Sequence, residues 1–420
     1  AGQALQVGGF DRSNSTARAR LGRIDRVRSS PILAVLSIGV SLLLLVSAPA
    51  GAKPAEDKDW LEVQSPHFTI IGSKSEEALV EIAWDAEMLR ALIVRLTGIE
   101  QLPYTKPTLV YLIPVREFQQ LARDRNTAGL YISRGGDDFS IIKDSPGVSE
   151  TRVVKHEYVH FLMHGQAGID FPRWYSEGLA EYFASSYSFR GMLNIGAPVE
   201  AHLRRFSSRA LIQPEELLSS TAYRDLDDDE KLSFYAWAWL LVHYLHHSES
   251  TAVPVDDGLV RYYEARRSGS SEVDSFASAF EIQPEDLRKT LMHYLRNDCC
   301  VHLKVDEKNL LPELPIMVRP MNRAEAGLAL GRVATKMRNE ELARPWLELA
   351  GAGTDTRAHS FIYLAQLEAQ TGQFEISEGL LREAAAIAPD DPMVQVNLAS
   401  YHLEQYRRSE SEDKSLKPVY

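Results

Sequence analysis

The sequence predicts an α+β protein: a domain of mixed strand and helix, followed by an all-α helical repeat. Three observations predict it. Two β-rich runs, "HFTIIG" (67–72) and "TLVYLIP" (108–114), flank a long stretch with helical spacing. From about Glu150 to Asp298 the reading is predominantly helical. Beyond the proline-rich "LLPELPIMVRP" (310–320), small and apolar residues recur every 34 positions.

Size and charge set the frame. At 420 residues the chain is too long for one core, so two or three units are expected. Hydrophobic residues at 45% and charged residues at 25% are ordinary globular usage. The formal charge of −12 is uneven: residues 1–52 hold six Arg, two Asp and no Lys or Glu, so the rest is more acidic still. An acidic body lacks the clustered cations that neutralise phosphates, which sets nucleic acid aside as a partner.

The basic head reads as a leader. Arg12 to Arg28 form a positive region, "PILAVLSIGVSLLLLVSAPAGA" (31–52) is apolar, and Ala50-Gly51-Ala52 offers small residues for cleavage. A signal peptide cut after Ala52 is favoured over an uncleaved signal anchor, because Ile32–Val46 is short for a span of about 20 residues. Either way the body is expected outside the cytoplasm, in a bacterial periplasm or at the cell surface. Contact with the membrane would come only through an uncleaved anchor. Cys299 and Cys300 are adjacent and cannot staple distant parts of the fold.

The elements follow in order. "SEEALVEIAWDAEMLRALIVRLTG" (75–98) has a Ser start, apolar residues at helical spacing and a Gly stop. "GLYIS" and "FSIIK" around "RGGDD" (134–138) read as a hairpin. The glycine pair lacks the spacing of a nucleotide loop. "DLDDDEK" (225–231) reads as a solvated turn and helix start without the calcium-loop signature.

The 34-residue period is legible in Leu330-Gly331, Ala343 and Ala350. These recur as Leu364-Ala365, Ser377 and Ala384, and Leu398-Ala399 opens a third copy. Residues 358–391 resemble a tetratricopeptide repeat along their length, with Gly372 at the turn between helices and Pro389 ending the unit. The resemblance implies paired helices serving as a spacer or as a concave surface for a protein partner; two and a half repeats are few for a free-standing stack, so packing against the preceding helices is expected.

The chemistry concentrates at "HEYVH" (156–160) and "WYSEGLAEYF" (174–183). On a helix His156 and His160 lie one turn apart, so both imidazoles can reach one ion. Val154, Tyr158, Phe161 and Leu162 share one arc, while His156, Glu157, His160 and His164 share the opposite one. By chance the five-residue pattern alone occurs in roughly one chain of this length in a hundred. A catalytic zinc needs one more protein donor and an open position for water, and Glu177 and Glu181 stand on one face of a second helix. His164 reads as a surface residue a turn beyond the pair. His243, His246 and His247 sit near a helix end, where His suits the negative dipole.

"HEYVH…PRWYSEGLAEYF" resembles the gluzincin metallopeptidases, in particular peptidase-MA-like domains and their aminopeptidase relatives, specifically over 150–245 and more loosely over 60–145. The resemblance implies a thermolysin/aminopeptidase-like fold, a small mixed sheet plus a helical part. It also implies zinc held by His156, His160 and Glu177, with Glu157 as general base. Glu181 would orient a ligand His, and Tyr235 in "FYAWAWLLVHYL" would stabilise the oxyanion. Two departures stand out. Ser176 replaces the usual Asn, and no Gly-x-Met-Glu-Asn strand precedes His156, which leaves an aminopeptidase assignment unsupported. The metzincin pattern fails at Met163 and Gln166.

The expected organisation is a leader over 1–52, a metallopeptidase-like domain over 53–309, a linker over 310–321, repeats over 322–406 and a disordered tail over 407–420. The expected activity is zinc-dependent hydrolysis of peptide bonds in a peptide or protein substrate, with exo- or endo-specificity open. The alternative is a non-catalytic binding or assembly protein whose peptidase-like domain is a scaffold.

Overall fold

The computed structural model describes Val27–Arg28 and residues 59–415, apart from 98–106, 123–126, 135–136, 147–148, 165–169, 208–211, 300 and 312. The leader's apolar run lies outside the described residues. Val27–Arg28 (β1) pairs antiparallel with Val301–Asp306. No helix among the described residues is long and apolar enough to cross a membrane.

The chain is a mixed α+β protein with a helical C-terminal region. Its first half alternates strands and helices: β2 (Trp60–Gln64), β3 (Phe68–Gly72), α1 (Glu76–Thr97), β4 (Thr108–Pro114), α2 (Val115–Leu121), β5 (Gly129–Arg134) and β6 (Asp137–Asp144). The site helices follow, α3 (Glu150–His164) and α4 (Arg173–Ala184), then the hairpin β7 (Tyr187–Phe189) and β8 (Met192–Ile195). The next helices are α5 (Glu200–Ser207), α6 (Pro214–Leu218), α7 (Ser220–Arg224), α8 (Asp228–His247), α9 (Val255–Arg267), α10 (Glu272–Phe280) and α11 (Pro284–Asn297). Then come β9 (Val301–Asp306), α12 (Glu307–Leu310) and β10 (Met317–Met321). The chain closes with α13 (Arg323–Lys336), α14 (Glu340–Gly351), α15 (Arg357–Gln370), α16 (Phe374–Ile387) and α17 (Pro392–Ser415).

The main sheet has six strands in the order β10-β2-β3-β4-β6-β5. Pairs β3–β4 and β4–β6 are parallel, while the β5–β6 hairpin is antiparallel, with Arg134 opposite Asp137. Successive side chains of a strand point to opposite faces, and here both faces are apolar. Ile70, Val110, Leu112 and Ile142 pack with α1 and α3. Ile71, Tyr111, Ile113 and Ile141 pack under α13 to α15, against Leu330, Val333, Leu347, Tyr363 and Leu367. The sheet is thus sandwiched between the site helices and the C-terminal array.

Three expectations are corrected here. The array was expected on the preceding helices and lies instead on the sheet, because that apolar face would otherwise stand in water. The expected linker 310–321 carries strand β10, which pairs with β2 from Met317↔Gln64 to Met321↔Trp60. Pro320 fits there because β10 is an edge, where a missing N–H costs no ladder bond. The expected tail from 407 continues as helix to Ser415; its run of charged residues holds no Gly or Pro before Pro418 to break it.

The array itself keeps the period. α13 and α15 start at 323 and 357, and α14 and α16 at 340 and 374, each 34 residues apart. Gly331 sits where α13 and α14 touch: a Cβ there would lie 2.5 Å from Leu347 Cδ2.

Candidate metal centre

Helix α3 lays Val154, Tyr158, Val159 and Phe161 into the core, which turns His156 and His160 the other way. Helix α4 returns antiparallel to the site through Pro172, with Trp174 and Tyr175 buried at its start. The glycine after the acidic residue has a packing reason. A Cβ at Gly178 would sit 2.3 Å from the Ala238 carbonyl oxygen, so α4 meets α8 backbone to backbone and Glu177 is carried inward.

The donor atoms converge. His156 Nε2 lies 3.0 Å from His160 Nε2, and Glu177 Oε2 lies 3.1 Å from His160 Nε2 and 3.4 Å from His156 Nε2. These three residues are the cluster able to hold a metal ion among the described residues. Four-coordinate zinc takes N and O donors at about 2.0–2.2 Å, and a tetrahedron of that size sets its corners about 3.3–3.6 Å apart. The donor set fits such an ion; one separation lies in that range and the other two fall a few tenths of an ångström inside it.

Further contacts hold the three clustered side chains in place. His156 Nδ1 is 3.1 Å from Glu181 Oε1, so donation to that carboxylate fixes the ring with Nε2 facing the cluster, where loss of its proton would free the lone pair. Glu181 Oε2 in turn meets the Arg152 guanidinium and, at 3.2 Å, His202 Nε2. Ser176 Oγ is 3.2 Å from His160 Nδ1, against the far side of that ring from the cluster. Arg173 donates to Glu177 Oε1 at 3.1 Å and lies 4.3 Å over the Tyr223 ring.

Electrostatics follow from burial and pairing. Burial opposes charge on His156, yet the hydrogen bonds it donates to Glu177 and Glu181 outweigh it and raise its pKa to about 10. Glu177 and Glu181 are pulled down against their own burial, the first mainly by His160 and His156, the second by Arg152, His156 and His202. Glu157 differs. Burial pushes its pKa up, the two imidazoles pull it back in part, and a hydrogen bond from the Tyr131 backbone of edge strand β5 ties it to the sheet. Gly129 on that strand leaves room for it, since a Cβ would lie 3.1 Å from Glu157 Oε1 and 2.4 Å from Val153.

Tyr235 reaches the cluster from α8. Its ring packs edge-on to His156 with centroids 6.1 Å apart, and its hydroxyl lies 3.2 Å from that of Tyr223. Burial raises its pKa well above the usual phenol value, with Glu177 adding to the effect. His164 contributes backbone to α3, and its side chain lies outside the described residues. His243 is buried away from the cluster, bonded through Nδ1 to Tyr294.

Sequence reasoning missed Arg152, Arg173, His202 and Tyr223. Arg152 had a local signal, one turn before His156 on the same face. His202 and Tyr223 come from separate helices, and nothing in their local pattern marks them.

Comparison with known families finds a match over the site helices. Residues 150–264 match the family described as "Protein of unknown function (DUF1570)". That stretch runs from the start of α3 into α9 and so includes every residue of the cluster. A search of curated proteins found no match.

Proposed function

We propose that this chain is an exported zinc-dependent peptidase with His156, His160 and Glu177 as the metal ligands. One observation carries the proposal. Two imidazole nitrogens and a carboxylate oxygen from two helices meet within 3.0–3.4 Å of one another, beside a buried carboxyl that is not needed as a ligand. The resemblance to gluzincins supports the same roles, and the gluzincin fold is part of this proposal.

A bound divalent ion supplies Lewis-acid polarisation of a carbonyl and lowers the pKa of water. The chain's own residues supply the rest. Glu157 has its pKa raised by burial, which suits a group that takes a proton from attacking water and returns it to the leaving amine. Tyr235 keeps its proton because its pKa lies well above the ordinary phenol value. It can therefore donate a hydrogen bond to an oxyanion, a contribution of about 3–4 kcal/mol in comparable sites. Glu181 fixes the His156 ring, and Ser176 touches the His160 ring from behind.

The C-terminal array is assigned as tetratricopeptide-like, on its 34-residue period and small residues at the helix contacts. Export rests on the sequence of residues 1–52.

The test is metal analysis of protein purified without chelator, paired with peptide-library cleavage by wild type and Glu157→Gln. Stoichiometric zinc with cleavage lost in Glu157→Gln is expected. Zinc near zero would sink the proposal and favour a peptidase-like scaffold.

A further inference from the structure

The final helix of the array is half of a hairpin. In the first two units the face of the leading helix is covered by an antiparallel partner: α14 lies on Gly331 of α13, and Ile362 and Ala365 of α15 share a buried cluster with Leu381 and Ala384 of α16. Thirty-four residues on, Ile362 corresponds to Val396 and Ala365 to Ala399. Ile362 is 0% exposed, whereas Val396 is 62% exposed. Leu403 and Tyr406 continue the same stripe at 50% and 62%.

Among the described residues, no element follows α17 to cover Val396 and Leu403. The earlier hairpins turn at Arg338 and Gly372, both in the left-handed region with φ of 58° and 85°. The position 34 residues after Gly372 is Tyr406, in the middle of a helix that runs on to Ser415. No residue with positive φ stands there, and the helix continues past it to Ser415.

We propose that a second copy of this chain covers the stripe, the two α17 helices packing antiparallel across a two-fold axis. The array itself defines the occupant's shape, since the equivalent face is twice covered by an antiparallel helix. Val396, Ala399, Leu403 and Tyr406 are spaced at i, i+3, i+7 and i+10, the seam of a helix that pairs with another helix. A small residue, Ala399, stands where the facing helix comes closest. An isologous pair brings the same seam from both sides and closes without leaving a further sticky end. Charge favours this face for self-association. The chain carries −12 overall, whereas the seam is flanked by Gln395, Ser400, His402 and Arg407, none of them acidic.

The test is sedimentation equilibrium of the full chain from about 1 to 100 µM, where a self-associating interface is concentration-dependent. A monomer–dimer equilibrium is expected. Leu403→Glu and Val396→Glu should each weaken it by about 100-fold or more, since a carboxylate would enter an apolar seam in both copies. Ile376→Glu on α16, 52% exposed but off the seam, should leave association unchanged. Circular dichroism melts check that each variant is folded. A monomer at every concentration overturns the proposal, including the case where a different protein is found bound to α17. A dimer indifferent to both seam variants, or equally weakened by Ile376→Glu, also overturns it. None of these outcomes depends on the metal or on catalysis.

Discussion

Cutting the chain after Met321 should unfold what remains. The cut keeps all six sheet strands and the whole candidate site, and removes only α13 to α17. It would leave Tyr111, Ile113, Phe118, Phe139 and Ile141 facing water, side chains that are now 0–2% exposed. Burying such a side chain is worth about 1.5–3 kcal/mol. Five of them give roughly 7–15 kcal/mol, an upper range because an unfolded chain also buries some apolar surface. A domain's whole stability is about 5–15 kcal/mol, so the fragment should not hold its fold.

The assay is expression of 53–321 beside 53–420, followed by thermal melting and limited proteolysis. The fragment should be insoluble, or should melt without a cooperative transition and be cut within the sheet. A point variant checks the same interface more gently. Leu347→Ala empties a fully buried position that packs with the sheet face, and should cost about 2–5 kcal/mol. A fragment that melts cooperatively within a few degrees of the longer chain would refute the reasoning. It would restore the view of the repeats as a detachable binding module.

The remaining predictions concern the site and the leader. His156→Ala, His160→Ala and Glu177→Ala should each lower bound zinc, while Glu157→Gln keeps zinc and loses turnover; metal loss in Glu181→Ala but not Glu177→Ala would reverse the ligand assignment. Arg152→Met should weaken metal affinity about 10–100-fold by freeing Glu181, with Arg152→Lys recovering most of it, read by competition with a chromophoric chelator. His156 holds its proton up to about pH 10 without metal, so binding near pH 8 should release about one proton, with affinity rising with pH; calorimetry in buffers of different ionisation enthalpy measures it. By the same sign, the His156 charge should stabilise the metal-free fold fully below its unfolded pKa of about 6.5 and lose that contribution as pH climbs toward 10. Amino-terminal sequencing from the native compartment should find a start near Lys53, and intact residues 1–52 would remove the cleaved reading.

What the sequence made legible was whatever a single element encodes. The β4 run ends where the strand ends, at Thr108 and Pro114, because a bounded apolar run states its own limits. His156 and His160 were paired by helix geometry alone, and the repeat period survived into the helix starts. What stayed hidden depends on two elements meeting. No local pattern says that the array lies on the sheet, yet the strands hold the clue: "TLVYLIP" is apolar at consecutive positions, so both faces of β4 need cover. The helices before it in sequence could cover only one. His202 escaped for the same reason, since its role comes entirely from α5 crossing beside α4.

That both-faced burial also bears on how rigid the candidate site can be. Glu157 is tied by hydrogen bond to Tyr131 on edge strand β5, whose one neighbour in the sheet order is β6. The opposite face of β6 rests on the array through Phe139 and Ile141. A shared buried cluster therefore links α13 to β6, and the β5–β6 pairing links β6 to the carboxyl proposed as general base. Val333→Ala, at a fully buried position in α13, should loosen this support while leaving the ligand helices α3 and α4 packed on the other face. The expected result is zinc affinity near that of wild type with a lower kcat. Loss of zinc in step with activity would show instead that the array supports the whole domain and not the base in particular.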